Sequence, residues 1–312
     1  MRYGVEYLIV KAVEIFVRPL RLSTVRKLGE GLGLVFYTVD RVHRRIALAN
    51  LEVAFPSRTP AERRAIARSM FRHFGRLLLE LLKYASLTKQ GQLRLVEWEG
   101  EERVRLALAQ GKGILFCTGH FGFWEQQALA HALKFGPMAV MARPLDNPKL
   151  HYLLERIRTS NGNGVVYRRG AVRKALRLLA KGKAVGILID QHMTSADAVS
   201  VDFFGRSAAT TSTLAALALR TGAPVIPLFA FPLPNGRYRM IYEHPVEPPR
   251  HDSVDAIREF TQRCTDVLEM HVRRHPELWL WMHRRWRDAP GPALDAAPGM
   301  FPRAKADLAP ED

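Results

Sequence analysis

Apolar residues along this chain are spaced in two ways. Up to about residue 95 they recur at helical intervals, and from residue 111 they gather into short unbroken runs separated by helical stretches. The runs "GILFC" (113–117), "MAVMAR" (138–143), "GVVYR" (164–168), "AVGILID" (184–190) and "APVIPLFAF" (223–231) do not alternate with polar residues, which predicts strands buried on both faces. Between them "FWEQQALAHALK", "PKLHYLLERIR", "AVRKALRLLAK" and "TSTLAALALRTG" have helical period. Strand and helix in alternation predict an α/β fold: a three-layer sandwich with a largely parallel or mixed central sheet flanked by helices. In such sheets functional groups collect at the carboxyl ends of the strands.

The pattern also sets the domain boundaries. Residues 1–22, "MRYGVEYLIVKAVEIFVRPLRL", form a helix interrupted by Glu6, Lys11, Glu14 and Arg18 too often for a spanning segment of about 20 apolar residues. Lys11, Glu14, Arg18 and Arg21 share one stripe while Ile9, Val13, Ile15, Phe16 and Val17 fill the rest, the pattern of a helix lying in a membrane interface; a buried terminal helix is the plainer alternative. No small-residue cleavage site follows it. A helical lead-in (23–95) and an α/β core (96–287) make up the folded body. Within the lead-in, Thr59 and Pro60 signal the start of a long helix on which Arg64, Arg68, Arg72 and Arg76 repeat on one face. Residues 288–312, proline-rich and without apolar period, are expected to be a disordered tail.

Composition changes this picture in one respect, its charge. Formal net charge is +17, with a tail of −3 (Arg303 and Lys305 against Asp288, Asp295, Asp307, Glu311 and Asp312) and a body of +20. So basic a body is suited to an anionic partner: acidic phospholipid, an acidic carrier protein or nucleic acid. Cys117 and Cys264 are the two cysteines, giving no disulfide framework and no metal-ligand spacing.

Candidate chemistry begins at "FCTGHFGFWEQ" (116–126), where a strand ends at Thr118 and Gly119 and a helix begins at Trp124. Five residues within one helix would put His120 and Glu125 about 140° apart, but with His120 on the turn and Glu125 in the first helical turn they can meet. Glu125 is then expected to hold one imidazole nitrogen and leave the other as a base that takes a proton from a hydroxyl. A zinc site lacks its H-E-x-x-H, serine hydrolysis its G-x-S-x-G, and nucleotide binding its glycine loops. Further groups fall at other strand ends. "ARPLDNPKLHYLLERIRTSNG" offers Arg143, Asp146, Arg156 and Arg158 as an anion or oxyanion cluster, and "ILIDQHM" closes a buried strand with the polar Asp190 and Gln191. "VDFFGRSAATTS" reads as a glycine turn carrying Arg206 toward a helix N-terminus, suited to an anion, and "HPELWLWMHRRWR" joins three tryptophans to a basic cluster.

In that order, with "NLEVAFP" at 50–56, "GHFGFWE", "RPLDNP", "DQ", "FFGR.A.T", "TGAPVIP" and "PELWLWMHRRW" resemble the bacterial lipid A biosynthesis lauroyl/myristoyl acyltransferases of the lysophospholipid acyltransferase superfamily, over roughly residues 40–287. "GHFGFWE" is similar to the family's H-x-x-x-x-D/E signature. The resemblance implies an O-acyltransferase without a cofactor, moving a fatty acyl chain from acyl-acyl-carrier-protein to a hydroxyl of a lipid A precursor at the cytoplasmic face of the cell inner membrane. It implies His120 and Glu125 as the catalytic pair and Arg143, Asp146, Arg156, Arg158, Asp190, Gln191 and Arg206 as substrate-binding residues, with Arg156 or Arg158 at the oxyanion. The implied partners are the acyl carrier protein, an anionic glycolipid and inner-membrane phospholipid. Phosphatidylinositol mannoside acyltransferases, which use acyl-CoA, are the alternative within the superfamily. A nucleic-acid-binding protein would explain the charge but not His120 and Glu125 at a strand end, so no nucleic-acid partner is expected.

Overall fold

The computed structural model describes residues 2–167, 170–195, 198–249 and 255–287; the expected tail lies outside them. At the centre of the molecule two strands, β2 (Ile114–Thr118) and β5 (Ala184–Leu188), run parallel with Thr118 opposite Leu188. Both come from the unbroken apolar runs, and every residue of β2 is buried. Odd positions Leu115, Cys117, Val185 and Ile187 point into one cluster, while Ile114, Phe116 and Ala184 point into another on the opposite face. That two-sided burial is why these strands do not alternate.

The remaining strands are β1 (Val96–Glu99), β3 (Met138–Ala142), β4 (Gly164–Tyr167), β6 (Ala198–Phe203), β7 (Arg206–Thr211), β8 (Val225–Pro232) and β9 (Tyr238–Tyr242). Five of them join β2 and β5 in one seven-stranded sheet of order β1-β9-β8-β2-β5-β3-β4, parallel throughout except where β8 meets β9 antiparallel. One face is covered by α9 (Ala171–Leu179), α10 (Thr213–Thr221) and α11 (Ala256–Arg274), whose Leu179, Leu214 and Leu268 join the larger core cluster. On the other face α6 (Glu101–Ala109) and α7 (Trp124–Phe135) contribute Val104 and Ala130, with α8 (Pro148–Thr159) packed beside α7. The three-layer sandwich expected from the pattern is the observed fold.

β6 and β7 depart from that expectation. "VDFFGRSAATTS" is an antiparallel hairpin with Phe203 paired to Arg206, and the length of β7 separates Arg206 from the N-terminus of the helix that starts at Thr213. Its turn places Phe204 at φ 58° and Gly205 at φ 73°, with the Gly205 N–H donating to Asp202 Oδ1 at 3.0 Å. A non-glycine residue is strained there. Phe204 is held by edge contacts with Phe55 and Trp281 and by its N–H donating to Glu269 at 2.7 Å.

The lead-in consists of α1 (Arg2–Val17), α2 (Leu22–Val39), α3 (Arg41–Ala54), α4 (Pro60–Tyr84) and α5 (Lys89–Arg94). α4 starts where the sequence signals it, with a capping box between Thr59 and Glu62. α2 lies against it backbone to backbone: a Cβ on Gly33 would stand 2.1 Å from the Phe71 carbonyl, so no larger residue fits without separating the helices. Fully buried Glu80 closes the contact, accepting from Arg26 Nε (3.0 Å), Arg76 Nε (3.1 Å) and Tyr238 Oη (2.8 Å). Arg76 thus leaves the arginine face read from the sequence, and Arg64, Arg68 and Arg72 remain exposed.

α1 is turned the opposite way from an ordinary surface helix. Its charges face the protein: Glu14 is buried, pairing with Lys11 (2.7 Å) and lying 3.6 Å from both Arg18 and Arg156, while Glu6 accepts from Asn147 (2.9 Å). Its exposed face is apolar, with Val5, Leu8, Ile9, Ile15 and Phe16 each more than half accessible. Leu28, Val35 and Val39 extend an uncharged exposed stripe along α2. Among the described residues no helix is long and apolar enough to cross a membrane.

Candidate active site

The register of β2 and β5 builds the site. His120 lies two residues beyond Thr118 and Asp190 two beyond Leu188, so parallel pairing carries the two side chains out of the same edge of the sheet together. The imidazole Nδ1 stands 2.9 Å from Asp190 Oδ1, and the His120 backbone N–H donates to Asp190 Oδ2 at 2.7 Å. The Trp279 indole N–H donates to the same Oδ2 at 2.8 Å. Asp190 is almost wholly buried. Burial alone would raise its pKa, but the His120 ring, the His120 backbone N–H and the Trp279 indole outweigh it and hold the carboxyl at about 2. An ionised carboxylate can only accept, so Nδ1 carries the proton and Nε2 is left facing outward with its lone pair. Gln191 Nε2 is the group nearest that nitrogen, at 3.4 Å, and the Trp124 ring lies edge-on to the imidazole, centroids 5.3 Å apart.

The turn that carries His120 is over-determined. Gly119 has to be glycine for close approach, because a Cβ there would meet Asp190 Cγ at 3.0 Å and Leu268 at 3.1 Å. Gly122 has φ 58°, and a Cβ there would fall 1.9 Å from the Ala230 carbonyl. Its N–H donates to Leu278 O at 2.9 Å, and its carbonyl accepts from buried His73 Nε2 at 3.2 Å. Burial keeps His73 neutral, its pKa lowered to about 3 despite that carbonyl.

Glu125 does not hold the imidazole. It sits in the first turn of α7, as expected, but its carboxylate takes both Nε (2.9 Å) and Nη2 of Arg158 from α8. That pair is mostly buried, and the Glu125 hydrogen bond and charge raise the Arg158 pKa against the effect of burial. One turn of helix separates the expectation from the outcome: α8 packs against α7 and brings Arg158 within bidentate reach, while the imidazole has turned toward β5. Of the other arginines, Arg156 faces Glu14 on α1, so neither it nor Arg158 is presented as a free cation at His120. Arg143 and Asp146 are exposed in the turn before α8, where buried Asn147 makes the structural contacts, capping α8 and reaching Tyr3 O at 2.9 Å. Arg206 is exposed at the start of β7.

Groups outside the expected site complete its wall. Asn50 Nδ2 donates to Trp281 O and His283 O, both at 2.7 Å, and His283 Nε2 accepts from the His192 N–H at 3.0 Å. Buried Arg285 donates to Ala209 O (2.7 Å) and Gln191 O (3.4 Å), pinning the backbone just past Asp190 to β7. Burial lowers the His283 pKa to about 4 and that of Arg285 to about 10, the Asp190 charge opposing both shifts. The motifs "NLEVAFP" and "PELWLWMHRRW" were the sequence signal for these residues, and their role is to hold Asp190 and the turn in place. Among the described residues no cluster of histidine, cysteine and carboxylate side chains could hold a metal ion.

The chain is 27% identical to the lipid A biosynthesis lauroyltransferase of Escherichia coli over 93% of both chains. It is 27% identical to a lipid A biosynthesis acyltransferase of Haemophilus influenzae over 85% of this chain and 81% of the relative, and 27% identical to the E. coli lipid A biosynthesis myristoyltransferase over 80% and 77%. The model of the bacterial lipid A biosynthesis acyltransferases matches residues 1–288. With the family model spanning nearly its whole length, the chain is a member of the bacterial lipid A biosynthesis acyltransferase family and an acyltransferase.

Proposed function

We propose that the protein moves a fatty acyl chain from an acyl-carrier-protein thioester to a hydroxyl of a lipid A precursor, with His120 as general base and Asp190 as the residue that orients it. The observation that carries this reading is the locked imidazole: buried Asp190 holds Nδ1–H while Nε2 faces outward from the carboxyl edge of the sheet. In the proposed step Nε2 takes the proton of the acceptor hydroxyl as its oxygen bonds to the thioester carbonyl carbon. The tetrahedral intermediate then expels the carrier thiolate, which receives the same proton back from the imidazolium, leaving an ester, a free thiol and the enzyme unchanged. Asp190, held at about 2, stays ionised and offsets the imidazolium charge as it forms. Glu125 and Arg158 act one layer away, tying α7 to α8 so that the turn between β2 and α7 keeps its shape.

The outward apolar face of α1 and α2 supports placement on a membrane surface, with its charges paired inward and the body's excess of lysine and arginine suited to an anionic leaflet. The same charge suits an acidic carrier protein. The test is transfer of labelled lauroyl from its carrier-protein thioester to a tetra-acylated disaccharide precursor, with product mass as the readout. A product heavier by one acyl group, lost in His120→Ala, is expected. Equal or faster use of the coenzyme A thioester would overturn the donor assignment, and an active His120→Ala protein would overturn the base.

A further inference from the structure

Gln191 differs from every other polar group around His120 in being fixed at its backbone and free at its side chain. Its carbonyl accepts from Arg285, a guanidinium that is itself 1% exposed and clamped to β7, and its neighbour Asp190 is locked to the turn. Its side chain is exposed, with the amide nitrogen 3.4 Å from His120 Nε2. A hydrogen bond of that length is weak and exchanges readily. Since Nδ1 is taken up by Asp190, the Gln191 N–H occupies the one direction along which His120 can receive a proton. An acceptor hydroxyl reaching Nε2 has to take that place, and the displaced amide, anchored by Arg285, can move only by side-chain rotation.

A base and a donor that share one contact point will, once an oxygen nucleophile lies between them and a carbonyl, both lie within about 3 Å of the reacting atoms. The two arginines that the family resemblance offers at the oxyanion, Arg158 and Arg156, lie against Glu125 and Glu14. We infer that Gln191 is a catalytic residue, its side-chain amide resting against His120 Nε2 and donating, when the hydroxyl displaces it, to the oxyanion of the tetrahedral intermediate. The donation strengthens as the carbonyl oxygen gains charge, so its effect belongs to turnover and not to substrate affinity. This inference rests on His120 acting as the base, and the two can fail separately.

The experiment is steady-state transfer of lauroyl from its carrier-protein thioester to the disaccharide precursor by the full chain carrying Gln191→Ala, Gln191→Glu or Gln191→Asn, beside His120→Ala. The side chain is exposed, so the variants should melt within a degree or two of the parent. Gln191→Ala is expected to lower kcat about 100-fold with KM for both substrates changed less than threefold. Gln191→Glu, which keeps the length but puts a negative charge beside the oxyanion, should be lower still, and Gln191→Asn, which keeps the donor on a shorter arm, should recover part of the loss. Gln191→Ala with kcat within threefold of the parent, or a loss confined to KM, would overturn the oxyanion role while an inactive His120→Ala left the base assignment standing. If His120→Ala stays active, the base fails first and this inference with it.

Discussion

At the scale of single residues, the site depends on two glycines and one ion pair as much as on His120. Gly122→Ala adds a Cβ 1.9 Å from a backbone carbonyl at a positive φ, so it should lower stability by about 2–4 kcal/mol and reduce activity, seen as a fall in melting temperature with weakened transfer. Gly119→Ala presses less closely, on the Asp190 carboxyl and Leu268 at 3.0 and 3.1 Å, and it should displace Asp190 and reduce turnover with a smaller loss of stability. His120 and Asp190 were both legible as polar residues closing buried strands. Their pairing was not, because linear spacing favoured Glu125 at five residues over Asp190 at seventy, and only the register of β2 with β5 makes the distant residue the nearer one. The capture of Glu125 by Arg158 was equally hidden, since helix packing and not chain order sets it.

At the scale of elements, strands made of unbroken apolar runs announced themselves, the edge strand β4 among them, and β1, β6, β7 and β9 did not. β9 alternates between buried and accessible positions and β1 buries only Val96 fully, so neither shows as an unbroken run. β6 and β7 are built largely from alanine, serine, threonine and valine around a turn whose positive φ falls on a phenylalanine, where sequence reasoning looks for glycine or asparagine. For α1 the sequence grouped Lys11 with Glu14, but the helix ends at Val17, short of Arg18 and Arg21, and the inward direction of Glu14 required the partners Lys11 and Arg156. Two consequences can be measured. Ile9→Glu with Phe16→Glu places charges on the outward face, and should abolish sedimentation with phosphatidylethanolamine and phosphatidylglycerol vesicles while leaving the melting temperature within about 2 °C. Sedimentation unchanged by both substitutions would show that another surface binds lipid. Glu14→Gln should do the reverse, lowering stability by about 1–3 kcal/mol because Lys11 and Arg156 lose their carboxylate at a buried position, with vesicle binding largely kept.

At the scale of the whole molecule, the fold is a sheet whose carboxyl edge holds the His120 imidazole, with further imidazoles buried inside the protein. His73 and His131 have pKa values lowered to about 3, and His283 to about 4, chiefly through burial. Each is neutral in the folded protein and takes up a proton only on unfolding between those values and about 6.5, so the unfolded state binds more protons across that interval. Stability is therefore expected to fall as pH drops from about 6.5 toward 4, by up to about 1.4 kcal/mol per pH unit for each fully titrating group. Asp190, with its folded value depressed to about 2, adds a loss only below about pH 4. Denaturant unfolding at successive pH values should show this slope, and His131→Gln, which removes one of the three, should flatten it; a slope unchanged in that variant would contradict the assignment.

The orientation of His120 by Asp190 is tested most directly by comparing single-turnover acyl transfer in Asp190→Asn and Glu125→Gln. Asn keeps the size of the aspartate but can no longer fix the Nδ1–H tautomer or offset the imidazolium, so the rate of the chemical step should fall about 10²–10⁴-fold. Glu125→Gln should cost stability through the unpaired Arg158 and reduce the rate of the folded protein about tenfold or less. The opposite ranking, with Asp190→Asn near the parent rate and Glu125→Gln inactive although folded, would return the imidazole to Glu125 and contradict the arrangement described.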